Sequence, residues 1–145
     1  MQSLQAPDVL LGVLLIAASA IDIRVRILPD ALACSIALCS LLSALMTGGV
    51  RNMAGNLIWG GIAGAAVMAA EAAWRRLRGE PGLGGGDIKL LAACMARDPL
   101  WGFVSFGMGL IALAGAGCAL SKRSLPLIPF LTSAGLVTAL WIGPG

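Results

Sequence analysis

Residues Leu100–Leu120 read LWGFVSFGMGLIALAGAGCAL, a run without one charged side chain. As a helix, about 20 such residues cross the roughly 30 Å hydrocarbon core of a bilayer. A spanning helix satisfies its own backbone N–H and C=O groups, which an extended segment in lipid cannot do. Working outward, five further apolar stretches are marked at about Val9–Ile23, Ala31–Thr47, Ala54–Trp74, Ile88–Ala96 and Leu125–Ile142. The fourth is short and spans only if the residues before Asp87 also descend into the membrane. The fold class expected is therefore all-α: a polytopic membrane bundle of about six transmembrane helices, with residues 1–145 forming a single domain.

Composition agrees. Of 145 residues, 59% are hydrophobic and 12% charged, where a soluble domain averages about 45–50% apolar and about 25% charged. The mean hydropathy is +0.93. These values exclude a water-soluble globular enzyme, a disordered chain and a disulfide-stapled module. With no His and no Tyr, histidine triads, HExxH zinc sites and tyrosine nucleophiles are excluded too. Cys34, Cys39, Cys94 and Cys118 form no CxxC pair and lie in apolar runs, where a thiol packs as a small hydrophobe. They are expected to be buried packing residues. Ala18-Ser19-Ala20 imitates a signal-peptidase site, but only Asp8 precedes the run where a signal peptide carries positive charge. The first stretch is read as a retained helix.

Orientation follows from the cations. Arg24 and Arg26 fall in the first loop, Arg75, Arg76, Arg78 and Lys89 around the third, and Lys122 and Arg123 in the fifth, eight of the ten on one side. Only Arg51 and Arg97 lie on the other. The positive-inside rule then places loops one, three and five in the cytoplasm and both termini outside. The net charge of +3 is a topology signal; no basic cluster is interleaved with aromatics, and no nucleic-acid partner is implied.

Seven acidic residues remain to be explained. Asp8, Asp30, Glu80 and Asp98 sit at helix ends or in loops, where solvation or capping accounts for them. Glu71 stands four residues before Arg75 and reads as a helix-face pair, so that Glu71→Gln is expected to leave activity largely intact. Asp22 and Asp87 differ: one closes the first apolar helix, the other opens the fourth, and both fall on the cytoplasmic side. Ionisable groups at membrane depth are costly and tend to be functional. Two carboxylates meeting across a bundle can share one proton, one activating water while the other polarises a carbonyl. The alternative is that Asp22 merely caps a helix end and Asp87 is an N-cap.

Gly84-Gly85-Gly86 before Asp87 favours the first reading, because glycine admits close approach of another chain and non-helical backbone at this depth is tolerated only in a buried or wet setting. A phosphate loop does not fit: the GxxxxGK[ST] spacing is absent, and an Asp follows the glycines.

Three segments resemble the type IV prepilin peptidases, intramembrane aspartic proteases of the GxGD kind. Asp22-Ile23-Arg24-Val25-Arg26-Ile27-Leu28-Pro29-Asp30 is similar to the family's DxRxRxIP[ND]. Gly84-Gly85-Gly86-Asp87-Ile88-Lys89-Leu90-Leu91 is similar to GxGDxKLL. Leu125-Pro126-Leu127-Ile128-Pro129-Phe130-Leu131 resembles the proline-rich start of the last helix. The resemblance implies an aspartic endopeptidase of the inner membrane, with Asp22 and Asp87 as catalytic pair and Arg24, Gly84, Gly86 and Lys89 as substrate-binding or supporting residues. No metal and no cofactor is implied. The implied substrate is a prepilin or pilin-like protein with a basic leader before an apolar helix, cut after a Gly at the cytoplasmic face. Many members carry a CxxC-bearing insert between the first two helices, associated with N-methylation; the connection from Asp22 to Ala31 is too short for it, so a peptidase without that activity is expected. The rival class is a small proton- or cation-coupled transporter using intramembrane carboxylates. It leaves the DxRxR segment and the common cytoplasmic depth of the two aspartates unexplained, and the halves show no inverted repeat.

Overall fold

A computed structural model describes residues 6–25, 27–80, 82–120 and 126–142. Arg26, Lys122, Arg123 and Leu125, used above, lie outside the described residues, as do both termini. The chain is helical throughout: α1 (Ala6–Val25), α2 (Asp30–Arg78), α3 (Gly85–Met95), α4 (Pro99–Leu120) and α5 (Ile128–Ile142). No strand occurs among the described residues.

Each boundary has a local cause. Pro29, extended at φ −60° and ψ 136°, disfavours helix in the residue before it, so α1 stops short of it; its carbonyl accepts N–H bonds from Leu32 and Ala33 at 3.0 Å as α2 begins. Gly79 closes α2 in the left-handed region (φ 72°), its N–H bonded to Arg75 C=O at 2.9 Å, the glycine C-cap geometry. Asp98 starts α4: its Oδ1 accepts the N–H groups of Leu100 (2.8 Å) and Trp101 (3.2 Å), and Pro99 occupies the first helical position, where its missing N–H is no loss. Capping thus accounts for Asp98 as expected.

Helix α2 has 49 residues and would be about 73 Å long if straight. It is broken at Gly49 (φ 68°, ψ −171°), a conformation that only glycine adopts cheaply. Ser43 Oγ, before the break, donates to Asp8 Oδ1 at 2.6 Å. Asn56 Nδ2, after it, donates to Arg97 C=O at 2.5 Å, and Arg97 Nη2 lies 3.0 Å from the same Asp8 oxygen. Both halves therefore reach one cluster, and the chain doubles back at Gly49. Divided there, the five helices become the six rods expected.

Helices α1, α2 and α4 are long and apolar enough to cross a membrane, while α5 is a shorter apolar helix. Helix α3, at 11 residues, rises only about 16 Å, half a bilayer core. Non-helical residues before Gly85 keep it from lengthening, so the fourth stretch does not span alone. It is instead a well-enclosed element: Leu90, Leu91, Ala93, Cys94 and Met95 are all buried, and Leu90, Ala93 and Cys94 join a core cluster with Leu11, Leu15 and Ala18 of α1 and Ile128 and Leu131 of α5. Bulky apolar groups such as Trp59, Phe103 and Ile111 point outward, the surface a lipid-embedded bundle presents.

Two expectations need correction. Asp8 is not solvated: its side chain is 6% exposed and paired with Arg97, because the α3–α4 connection folds back onto the start of α1. Cys39 and Cys94 are buried, but Cys34 and Cys118 are exposed, on outward faces where an apolar thiol has no need of a protein core.

The glycines of the second half of α2 set how closely α3 packs. A Cβ on Gly60 would sit 3.3 Å from Ala92 O and 3.4 Å from Met95 Cβ; one on Gly64 would sit 3.4 Å from Ala92 Cβ. Small residues four apart let helices approach in lipid. Gly60→Val is expected to cost about 1–3 kcal/mol through overpacking, read as a lower unfolding midpoint in detergent. Gly61→Val, with nothing within 4 Å of its Cβ, stays within about 0.5 kcal/mol. Equal midpoints for the two variants would contradict this packing.

Candidate active site

Asp22 lies in the last turns of α1 and is 7% exposed. Its Oδ2 accepts the backbone N–H of Ile128, the first residue of α5, at 3.3 Å. The side chain thus serves the free N-terminus of another helix instead of ending its own. One turn earlier, Ser19 Oγ bonds Thr132 Oγ1 at 2.7 Å, and both hydroxyls also bond Leu15 C=O, at 2.9 and 3.3 Å. These bonds join α1 to α5 along the face that carries Asp22. The proline-rich third motif accordingly meets the first motif at this carboxylate.

Asp87 is the third residue of α3. The N-cap is Gly84, without a side-chain cap bond, so the carboxylate is not an N-cap. Its N–H returns to Gly84 C=O at 3.0 Å. Two of the three glycines sit in tight surroundings. A Cβ on Gly84 would stand 3.0 Å from Asp87 Oδ2, and one on Gly86 would stand 3.1 Å from Leu28 Cβ, in the connection between α1 and α2. Gly85 has nothing within 4 Å. Position by position, the local packing is tight at Gly84, open at Gly85 and tight again at Gly86, where a Cβ would force Asp87 or Leu28 to shift.

The two aspartates line two cavities. One, of about 360 Å³, carries the charged groups of Asp22, Asp87, Asp30 and Lys89 beside Gly84, Gly86, Ile27, Leu28 and Ile128. The other, of about 280 Å³, shares both aspartates but is walled by Leu83, Leu110, Leu113 and Leu127. Lys89 Nζ sits 2.6 Å from Asp30 Oδ1, both side chains exposed, so the pair tethers α3 to the start of α2 more than it stabilises the fold. Asp30 was assigned only a helix-opening role; the sequence places it beside Pro29, but nothing there shows its partner 59 residues away. Arg24 is exposed and lines neither cavity. Burial first, and then the negative charge of Asp22, push the Asp87 carboxyl from its ordinary 3.8 up to about 6, against the pull of a backbone hydrogen bond at Gly84.

Residues 9–143 match the type IV leader peptidase family. The chain belongs to that family. A prepilin leader peptidase/N-methyltransferase of Aeromonas salmonicida (strain A449) is 33% identical over 145 residues, covering 91% of this chain and 48% of its own. One of Dichelobacter nodosus is 30% identical over 132 residues, covering 88% and 46%. Leader peptidase HopD of Escherichia coli is 34% identical over 129 residues, covering 80% of each chain. The chain spans about half the length of the first of these relatives. No solved structure matches it.

In this leader-peptidase-family chain the loop between α2 and α3 is held from below by a residue that the sequence reading treated as surface. Glu71 does pair with Arg75, Nε to Oε1 at 2.8 Å, but it is 7% exposed. Its Oε1 also accepts Gly82 N–H at 3.2 Å, and its Oε2 accepts Leu83 N–H at 2.8 Å. The i,i+4 spacing reveals the first contact only.

If Asp22 supplies part of the upward push on Asp87, its removal has a definite sign. In Asp22→Asn, whose amide oxygen can still accept Ile128 N–H, the midpoint of Asp87 is expected to fall below about 6 yet stay above 3.8, because burial remains. Infrared titration of the carboxyl band checks this. An unchanged midpoint would mean that the two groups do not sense each other.

Proposed function

We propose that the chain is an intramembrane aspartic endopeptidase that removes the basic leader from prepilin or pilin-like precursors. The observation that carries this reading is the pair Asp22 and Asp87, contributed by different helices to the same two cavities, in a chain of the type IV leader peptidase family. The Aeromonas and Dichelobacter relatives are named prepilin leader peptidase/N-methyltransferases. The direct connection from Val25 to Asp30 supports peptidase activity without the methylating insert.

The dyad works with one proton between two carboxylates. The N–H of Ile128, at the positive end of α5, favours negative charge on Asp22, which takes a proton from water. The hydroxide formed adds to the scissile carbonyl carbon while Asp87, carrying the proton, donates to the carbonyl oxygen. Collapse of the tetrahedral adduct breaks the C–N bond, and the nitrogen leaves with a proton returned from the dyad. Water is thus divided between the new carboxyl and the new amine. The cavity carrying Asp30 and Lys89 suits the hydrophilic leader, and the leucine-walled cavity suits the apolar side chain that follows the cut. Lys89 supports the site through Asp30, and Arg24, exposed at the end of α1, faces the headgroup layer. The positive-inside rule, applied to the basic loops, supports a cytoplasmic position for this end of the bundle and an outside position for both termini. Both aspartates stand at helix ends and not at mid-bundle, which disfavours the transporter reading.

Asp22→Ala and Asp87→Ala are each expected to lower cleavage of a pilin-like precursor by roughly 10³-fold or more while the protein still inserts. Full processing by either variant would sink the reading. The wild-type rate should be bell-shaped in pH. Rising pH removes the proton from Asp87, so activity declines as pH passes about 6; falling pH protonates the second carboxylate and closes the acid side. Leu113→Trp, which fills the leucine-walled cavity, should depress cleavage of precursors with a bulky residue after the cut more than those with a small one. Equal loss for both would argue against that placement.

A further inference from the structure

Glu71 makes more bonds than an ion pair on a helix face requires. A carboxylate on the surface of α2 would satisfy Arg75 and otherwise meet water; this one is buried and spends both oxygens on backbone. Its Oε1 takes Gly82 N–H as well as the Arg75 guanidinium, and its Oε2 takes Leu83 N–H. Gly82 is pressed so closely against this anchor that a Cβ there would lie 3.0 Å from Trp74 Cδ1 and 3.1 Å from Glu71 Oε2. The segment so held runs between two fixed ends, the left-handed Gly79 cap of α2 and the Gly84 N-cap of α3. Leu83 is bonded directly to Glu71, the next residue is Gly84, and the Asp87 carboxylate packs within 3.0 Å of the Gly84 Cβ position. A single residue, Leu83, therefore links the anchor to the glycine against which Asp87 rests.

We propose that Glu71 is a positioning residue, clamping the Gly82–Leu83 backbone so that Gly84 holds Asp87 opposite Asp22. The inference rests on the peptidase reading for its effect on turnover, though not for the clamp itself. A carboxylate suits the role where an amide does not. Two N–H donors and a guanidinium approach Glu71 from different sides, and glutamine offers one acceptor oxygen and an NH₂ group that would face a donor. The role contradicts the expectation, drawn from sequence, that Glu71→Gln is harmless.

The test uses the full chain in detergent or lipid, with Glu71→Gln as a size-matched variant and Arg75→Ala as its companion. In the wild type the Gly82 and Leu83 amides should be protected from hydrogen exchange. In Glu71→Gln they should exchange at least about tenfold faster, while amides in the middle of α1 and α4 keep their protection and show that the bundle is folded. Turnover of a pilin-like precursor per folded molecule should fall by about 10²-fold in kcat, the penalty of a misplaced reacting group, with KM little changed. The alkaline limb of the pH profile should move to lower pH as water reaches Asp87, with Asp22 from α1 and the Lys89–Asp30 pair at the cavity unaltered. Arg75→Ala keeps both backbone bonds and, its side chain being 57% exposed, should leave kcat within about threefold. Protected amides in Glu71→Gln would overturn the clamp. Released amides with wild-type kcat and pH profile would overturn its positioning role, as would a loss confined to the amount of folded protein. If Asp22→Ala and Asp87→Ala both process the precursor, the peptidase reading fails instead, and the exchange data alone then decide for or against the clamp.

Discussion

A carboxylate drawn into a bundle surrounded by hydrocarbon must find donors, a counter-charge or a proton, because isolated ionised groups are far too costly to bury. This constraint organises the chain. Four of its seven acidic residues meet it inside the protein, each by a different route. Asp8 has the Arg97 guanidinium and the Ser43 hydroxyl. Glu71 has Arg75 and two backbone N–H groups. Asp22 has the first N–H of α5. Asp87 has no ion-pair partner among the described residues, and burial, then the charge of Asp22, drive it toward the protonated form. The first two routes fix structure. The last two leave two carboxyl groups facing the same cavities, an arrangement with capacity for acid–base chemistry.

The glycines follow from the same demand. The loop before Asp87 approaches α2, the α1–α2 connection and Asp87 itself closely, and at Gly82, Gly84 and Gly86 a Cβ would be crowded to 3.0–3.1 Å from its nearest neighbour. Short α3 is the consequence. A helix extended to span the membrane would need Gly82, Leu83 and Gly84 to be helical, and Gly82 and Leu83 instead deliver their backbone N–H groups to Glu71.

What could be read from the sequence divides along the same line. The helical bundle was legible, and Asp22 and Asp87 could be singled out, because both readings rest on local properties: run length, the scarcity of charge, and glycine next to acid. The partners were not. Asp8 pairs with a residue 89 positions away, Asp30 with one 59 away, and Glu71 with loop residues 11 and 12 positions further along the chain. Charge counting sees Arg97 as a topology marker and Asp8 as solvated, when each is what allows the other to be buried. Cys34 and Cys118 were misplaced for a related reason. An apolar residue in a membrane helix suits lipid as well as core, so composition cannot say which way it points.

That ambiguity hides the most regular feature of α1. Asp8, Leu11, Leu15, Ala18 and Asp22 are its buried side chains, spaced three and four apart along one stripe. The opposite face is apolar as well, with Val9, Val13 and Ile16 exposed, so no amphipathic period marks the stripe in the sequence. Its two ends do: both are aspartates, and they are the only charged residues before Arg24. Fourteen residues are close to four helical turns, which places the carboxylates on the same side. The Asp8–Arg97 pair therefore fixes the rotation of α1 about its axis, and with it the direction in which Asp22 emerges at the far end. Breaking a buried pair by removing one partner costs about 3–5 kcal/mol, enough to hold α1 against the alternative rotation its apolar back would otherwise permit. The lock at one end of the helix is what gives the carboxylate at the other end a defined address.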